Sequence, residues 1–161
     1  GCAFHHPTVM FNTKVLDKSK IGHQFTSFST EVEKGRIKFF AQAIGETNPV
    51  YFDEKTAQEA GYKTIPALPT FPMSLDFDGP EFLPVIGLLN LDIARILHGA
   101  QEFNYLGQLY AGDRIEVTSK IKDIFDKKNG ALEFVVIETD YVNQDGELIC
   151  QASQTLVYRN A

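Results

Sequence analysis

The second half of the chain alternates strand-like segments with tight turns, and this succession limits the possible folds more than any other feature. Residues 114–125 place Ile115 and Val117 on one face, with polar side chains between them, as in a strand with one buried face. The Asn129-Gly130 pair is typical of a hairpin turn, and residues 143–146 form a second turn sequence. Strands joined by such short turns must be antiparallel. The sequence therefore predicts an antiparallel sheet here.

Further segments complete this sheet. Residues 98–105 alternate in the manner of a strand, residues 132–141 are apolar on both faces at their centre, and residues 147–158 close the sheet. Upstream, residues 24–31 alternate in the same way and predict a first strand. The total is about five strands, of which the one at 132–141 is expected to be an inner strand.

The first half of the chain predicts helices. Thr30 and Glu33 have the spacing of a capping box, which begins a helix. Apolar residues then recur at i, i+3, i+4 and i+7, so that one helix face is expected to point inward: Ile37, Phe40, Ala41 and Ile44. Gly45 ends this helix, because glycine takes a left-handed conformation at little cost.

A second helix is predicted from Asp53, a good N-cap residue, to Gly61. Between the two helices the chain crosses a loop that carries three polar side chains: Glu46, Asn48 and Tyr51. Pro49 in this loop biases the residue before it toward an extended conformation. Helices followed by a meander of strands predict a single α+β domain in these 161 residues.

Composition excludes several function classes. The net charge is −6 and no basic, aromatic stripe is present, so a nucleic-acid ligand is not expected. No stretch approaches the ~18 apolar residues of a membrane helix, and the start has no signal-peptide layout. Cys2 and Cys150 form no disulfide framework and no metal-ligand spacing, which predicts reduced thiols, a cytoplasmic location and no metal site. We interpret residues 1–10, with His5-His6, as an expression remnant or disordered lead-in, and residues 11–161 as the domain.

The loop segment Gly45-Glu46-Thr47-Asn48-Pro49-Val50-Tyr51 resembles the hydratase motif of MaoC-like enoyl-thioester hydratases and dehydratases, Gly-Asp-x-Asn-Pro-aliphatic-His. The resemblance implies a hot-dog fold, in which a curved antiparallel sheet of about five strands wraps around a central helix at residues 64–77. In the family, the Asp and the His handle a water molecule and the Asn helps to position the site. This chain has Glu46 and Tyr51 in place of that pair. It is similar to the subunits of mycobacterial-type hydroxyacyl dehydratases that lack the pair and work beside a partner.

Hydration of an enoyl thioester needs a base, an acid and N–H donors for the developing enolate oxygen. Tyr51, with a reference pKa of about 10, cannot replace a His as base. Glu46 is one methylene longer than Asp, and a misplacement of about 1 Å can cost on the order of a hundredfold in rate. His98, at a strand start, is the remaining candidate base. Each residue also has a structural interpretation: Glu46 as a solvated residue, Asn48 as a turn former, Tyr51 as a packed phenol and His98 as a backbone partner.

The resemblance also bears on substrate binding. Pro69 falls where catalytic relatives have a Gly whose N–H stabilises the enolate oxygen, and proline has no N–H to donate. Thr70 or Phe71 could donate instead. Phe71 and Leu75, with the apolar residues of the segment 82–97, are expected to line an acyl channel.

Three functions remain open. The first is a dehydratase or hydratase subunit, a hydro-lyase of fatty acid metabolism, whose partner chain carries the working Asp and His. The second is a self-sufficient homodimer that uses Glu46 with His98, and the third is a non-catalytic acyl-thioester binding module; thioesterase activity is a further outlier on this fold. The expected assembly is a homodimer, or a heterodimer with a second MaoC-like chain. No cofactor is expected, because coenzyme A or an acyl carrier protein carries the substrate as a thioester.

Overall fold

The computed structural model describes residues 16–79 and 84–160; the proposed lead-in at residues 1–10 lies outside the described residues. Five strands form one antiparallel sheet with the order β1-β3-β4-β5-β2. Their bounds are Phe28–Glu31 for β1, Ile96–Tyr105 for β2, Arg114–Lys127 for β3, Leu132–Val142 for β4 and Leu148–Arg159 for β5. The predicted strands are confirmed, and β4 is the central strand. Strand β1 is shorter than predicted. Residues 24–27 lie outside it, and among them Gln24 forms an isolated bridge with Lys120.

The described helices are short, and all of them precede β2. They are α1 at Lys34–Ala43, α2 at Glu54–Glu59, α3 at Pro72–Leu75 and α4 at Pro84–Leu89, with 3-10 turns at Lys18–Lys20, Pro49–Tyr51, Asp76–Asp78 and Ile93–Arg95. In the described ranges no helix is both long and apolar enough to cross a membrane. The turn Asp76–Asp78 directly continues α3, so the central helix implied by the resemblance is about two turns long.

Two local predictions in the first half are wrong, and tertiary contacts explain one of them. The predicted capping box does not form, because Thr30 belongs to β1 and its hydroxyl donates a hydrogen bond to Asp78. Helix α1 begins after Glu33, which makes no side-chain cap. Ile44, predicted to point inward, is 54% exposed because the helix has already ended at Ala43. The Asp53 cap is confirmed, since its carboxylate accepts from the Thr56 N–H at 2.9 Å.

The sheet curls into a half-barrel, and its buried face packs against the helices in two apolar clusters. The first cluster combines α1 and α3 with one end of the sheet; it includes Ile37, Phe71, Leu75, Ile115, Val117 and Tyr141. The second combines α4 with the other end; it includes Val85, Leu89, Ile121, Val135, Leu156 and Tyr158. Between the two clusters the inner face of the sheet is more polar, and this middle region holds the cavity described below.

Gly99 marks a close approach of β2 to β5, at the register shift between His98 and Gln101. A Cβ atom built on Gly99 would lie 2.5 Å from the carbonyl oxygen of Thr155, which is backbone and cannot easily move. We expect Gly99→Ala to lower the free energy of unfolding by about 2 kcal/mol, as over-packed sites do. Gly35→Ala in α1 is the matched control, because nothing lies within 4 Å of its added Cβ. Equal stability of the two variants in chemical denaturation would contradict this expectation.

Candidate functional site

The loop that resembles the hydratase motif is ordered by its own side chains. Gly45 follows α1 with a φ of 76°, a left-handed conformation that favours glycine. The Glu46 Oε1 atom accepts hydrogen bonds from the N–H groups of Thr47 at 3.0 Å and Asn48 at 2.9 Å. The Asn48 Oδ1 atom then accepts from the Val50 N–H at 3.2 Å and caps the 3-10 turn Pro49–Tyr51. Glu46 and Asn48 therefore both stabilise the loop that carries them.

Tyr51 is half-buried and packs against the first apolar cluster. Burial raises the pKa of its phenol above the ordinary value, and the nearby Glu46 and Tyr62 raise it further. The neutral phenol can donate a hydrogen bond, but it is no base at neutral pH. The position that holds a His in the resembling motif thus holds a packed, uncharged group.

The other predicted site residues belong to other segments of the chain. His98 lies in β2, at one edge of the sheet, where its backbone pairs with Leu156 of β5. Pro69 and Thr70 are exposed in the turn before α3. Phe71 is buried, and its N–H already donates to the Leu68 carbonyl at 3.0 Å, so that N–H is engaged within the turn.

A cavity of about 570 Å³ lies between the inner face of the sheet and the helices α3 and α4. Helix α4 contributes Pro84, Val85, Gly87 and Leu88, which belong to the segment expected to line an acyl channel. The predicted site residues whose side chains the structure describes do not line it: Glu46, Asn48, Tyr51, Pro69, Thr70, Phe71 and Leu75. Phe71 and Leu75 are instead core residues. Their assigned roles stay predictions.

Four polar side chains of the sheet line this cavity, and we call them the polar floor: Gln101, Ser119, Thr139 and Gln154. Gln101 lies directly opposite Gln154 in the β2–β5 pair. Ser119 lies opposite Thr139 in the β3–β4 pair, and their hydroxyl oxygens are 2.8 Å apart. Inward-facing positions of a sheet are normally apolar, so this row of hydrogen-bonding groups distinguishes the cavity from the two clusters beside it.

A half-buried acid lines the same cavity as the polar floor. The Asp76 carboxylate lines the cavity and accepts a hydrogen bond from the Tyr141 hydroxyl at 2.5 Å. Burial raises the pKa of Asp76 from 3.8 to about 6, against the opposing effect of the Tyr141 hydrogen bond. Burial and the adjacent carboxylate also raise the pKa of Tyr141 well above its ordinary value. Asp76 can therefore take up or release a proton close to neutral pH, inside a cavity.

Sequence reasoning missed Asp76, Tyr141 and the polar floor as site residues. One available signal was polarity at inward positions: Thr139 and Gln154 follow the alternation of buried neighbours on β4 and β5. A second was Asp76 itself, an acid that directly follows the buried Leu75 at the end of α3. Across the described ranges, no group of three or more His, Cys, Asp or Glu side chains is placed to hold a metal ion.

Comparison with known proteins identifies the family. A family model for the FAS1-like dehydratase domain region matches residues 19–152. The chain belongs to this family. Among curated relatives, a protein of Saccharopolyspora erythraea named UPF0336 protein is 33% identical over 145 residues, which is 89% of this chain and 92% of the relative.

Solved structures show the same fold. The fold is similar to the C-terminally truncated HadBC (3R-hydroxyacyl-ACP dehydratase) complex of Mycobacterium tuberculosis, with a TM-score of 0.73 and 25% identity over 86% of this chain and 96% of that chain. It is also similar to the MaoC-like dehydratase of Rhodospirillum rubrum, with a TM-score of 0.68 and 22% identity over 86% and 92% of the two chains. The hot-dog fold and the resemblance to MaoC-like dehydratases are confirmed.

Proposed function

We propose that this chain is one subunit of a (3R)-hydroxyacyl-thioester dehydratase or enoyl-thioester hydratase, in which a second hot-dog chain supplies the catalytic Asp and His. The observation that carries the proposal is the loop at residues 45–51. It keeps the frame of the hydratase motif, with Asn48 capping its 3-10 turn. Its two proton-handling positions hold Glu46, hydrogen-bonded within the loop, and Tyr51, a packed phenol.

The chemistry explains why a partner is needed. In hydration, a base removes a proton from water as the water oxygen bonds to the β-carbon, and an acid protonates the α-carbon while N–H donors stabilise the enolate oxygen. Dehydration is the reverse. A neutral phenol cannot perform the first step at neutral pH. The partner's Asp and His perform it, and this chain contributes the cavity beneath α4 for the acyl chain.

The free edge of β2 is the surface that we assign to the partner. Among the described strands, β2 pairs only with β5, and an unpaired edge of ten residues readily accepts another strand. Apolar side chains stay exposed on or beside this edge: Ile93 at 70%, Leu97 at 42%, Tyr105 at 42% and Leu106 at 57%. A second MaoC-like chain that adds its own edge would cover them; a second copy of this chain gives the homodimer.

The substrate is an acyl thioester of coenzyme A or of an acyl carrier protein, so that no further cofactor takes part. The net charge of this chain is −6, so its surface as a whole does not attract either carrier, because both carry negative charge. Cys150 is a free, buried thiol, which fits the reducing cytoplasm. We place the reaction in fatty acid metabolism on the basis of the dehydratase family and the HadBC similarity.

Reconstitution tests the proposal. The purified chain is assayed for hydration of crotonyl-CoA, alone and after co-expression with a second hot-dog chain whose motif carries Asp and His. We expect background turnover from the chain alone and a rise of at least about a hundredfold in the complex, the usual contribution of a placed acid–base group. Ordinary enzymatic turnover by the chain alone would contradict the proposal and favour a self-sufficient homodimer.

The cavity of about 570 Å³ favours a second candidate, a non-catalytic acyl-thioester binding module. Its signature is affinity for a thioester in calorimetry without turnover in any reconstituted complex. The two functions therefore differ in turnover, while both predict binding.

A further inference from the structure

The polar floor divides the cavity between two apolar regions. On one side lie Phe28 and Val117 next to the first cluster, and on the other lie Val85, Leu88 and Ile137 next to the second. A plain alkyl chain would satisfy both regions but would cross the polar groups between them. The arrangement fits a ligand that is aliphatic at both ends and polar in the middle.

The polar floor spans neighbouring rungs of the sheet. Gln154 lies between Ile137 on β4 and Gln101 on β2, so that the two carboxamides share one rung. Thr139 is two residues beyond Ile137 on β4 and points to the same face. It is paired with Ser119 of β3, so these two residues form the neighbouring row across the sheet. The hydroxyls of Ser119 and Thr139 bond to each other. The carboxamides of Gln101 and Gln154 have no hydrogen-bond partner among the described residues, and each can both donate and accept.

From this arrangement we propose that the cavity binds an acyl chain carrying a hydrogen-bonding oxygen group, such as a hydroxyl, on a carbon remote from the thioester. The ligand's oxygen accepts from and donates to the Gln101 and Gln154 carboxamides while its methylenes contact the apolar walls. An unsubstituted acyl chain displaces the water that hydrogen-bonds to both carboxamides and offers no hydrogen bond in its place. Sites built to bind a hydroxyl reject the analogue that lacks it for this reason.

The charge of the lining indicates which part of a thioester enters. The described lining residues include no Lys or Arg, and Asp76 adds an acid. The phosphates of a carrier gain nothing there and stay outside, so the uncharged acyl chain is the part that occupies the cavity. This step rests on the proposed function, because that function supplies the thioester.

Calorimetry on the full chain provides the test, with dodecanoyl-CoA and a series of its saturated mono-hydroxylated isomers as probes. We expect at least one isomer with a remote hydroxyl to bind about tenfold more tightly than the unsubstituted thioester, which corresponds to one net hydrogen bond. The double variant Gln101→Met/Gln154→Met, which keeps side-chain length, is expected to bring this ratio to within about twofold. Gln42→Met on the exposed side of α1 is the matched control and should keep the full ratio.

The unmodified chain alone decides the main point, whether or not the variants fold. Equal or tighter binding of dodecanoyl-CoA than of every hydroxylated isomer overturns the proposal, and so does the absence of binding by all of them. A ratio that persists in the folded double variant overturns the role of the two carboxamides. The binding experiment and the turnover assay of the reconstituted complex are independent. Tighter binding of a hydroxylated isomer without turnover in the complex would support this inference and contradict the proposed function. Turnover in the complex without tighter binding of any hydroxylated isomer would support the proposed function and contradict this inference.

Discussion

Replacing Asp76 with Asn is expected to raise the free energy of unfolding by about 3 kcal/mol at about pH 7.5, and by less than about 1 kcal/mol at about pH 4. Burial raises the pKa of this carboxyl from 3.8 to about 6, a difference of roughly two units at 1.36 kcal/mol each. The folded chain therefore binds the Asp76 proton more tightly than the unfolded chain does. The stability that this proton contributes is complete below pH 3.8 and is lost as the pH rises through about 6.

Asn at this position keeps the contact and removes the titration. Its side-chain oxygen can still accept the hydrogen bond from the Tyr141 hydroxyl, which the carboxylate accepts at 2.5 Å. Chemical denaturation of both proteins at several pH values measures the difference. Asp145→Asn is the control, because it removes the same charge from an exposed turn residue and should change stability little at any pH. A constant difference between Asp76→Asn and the unmodified chain across this range would show that Asp76 does not titrate as expected.

The pairing of the consecutive strands β3, β4 and β5 follows from signals that are local in sequence. The Asn129-Gly130 pair adopts left-handed conformations with φ of 54° and 85°, and it joins β3 to β4 as the pair predicts. The alternation on β3 identifies its buried face, with Ile115 and Val117 buried as predicted, because successive side chains on a strand point to opposite faces. Such features depend on a few neighbouring residues, and they could therefore be predicted from the sequence.

Features that depend on distant contacts could not be predicted in this way. Thr30 and Glu33 have the spacing of a capping box, but the Thr30 hydroxyl donates to Asp78, 48 residues away. Asp76 and Tyr141 are 65 residues apart, and only the packing of α3 on β4 brings them together. The pKa of Asp76 follows from that packing. The candidate site divides in the same way, since the loop motif is visible in the sequence and the cavity is not.

In the reconstituted complex, replacing the motif Asp of the partner chain with Asn is expected to lower kcat by about a hundredfold or more, while Glu46→Gln in this chain changes it by less than about twofold. Loss of a placed general base typically costs 10²–10⁴ in rate. Glu46 has a structural role in its loop, where Oε1 accepts from the N–H groups of Thr47 and Asn48. The side-chain oxygen of Gln accepts the same two hydrogen bonds, so the substitution removes the charge and keeps the loop.

The matched pair of variants separates the two catalytic hypotheses. If Glu46 worked with His98 as in a self-sufficient enzyme, Glu46→Gln would lower kcat by the larger factor and the partner's Asp→Asn change would have little effect. Glu46→Ala is the structural control, because it removes the acceptor of both loop N–H groups and is expected to destabilise the loop. We expect it to lower the affinity of the two chains for each other, or their apparent affinity for substrate, more than it lowers kcat. In this arrangement the partner chain carries out the proton transfer, and this chain provides the cavity that binds the acyl chain.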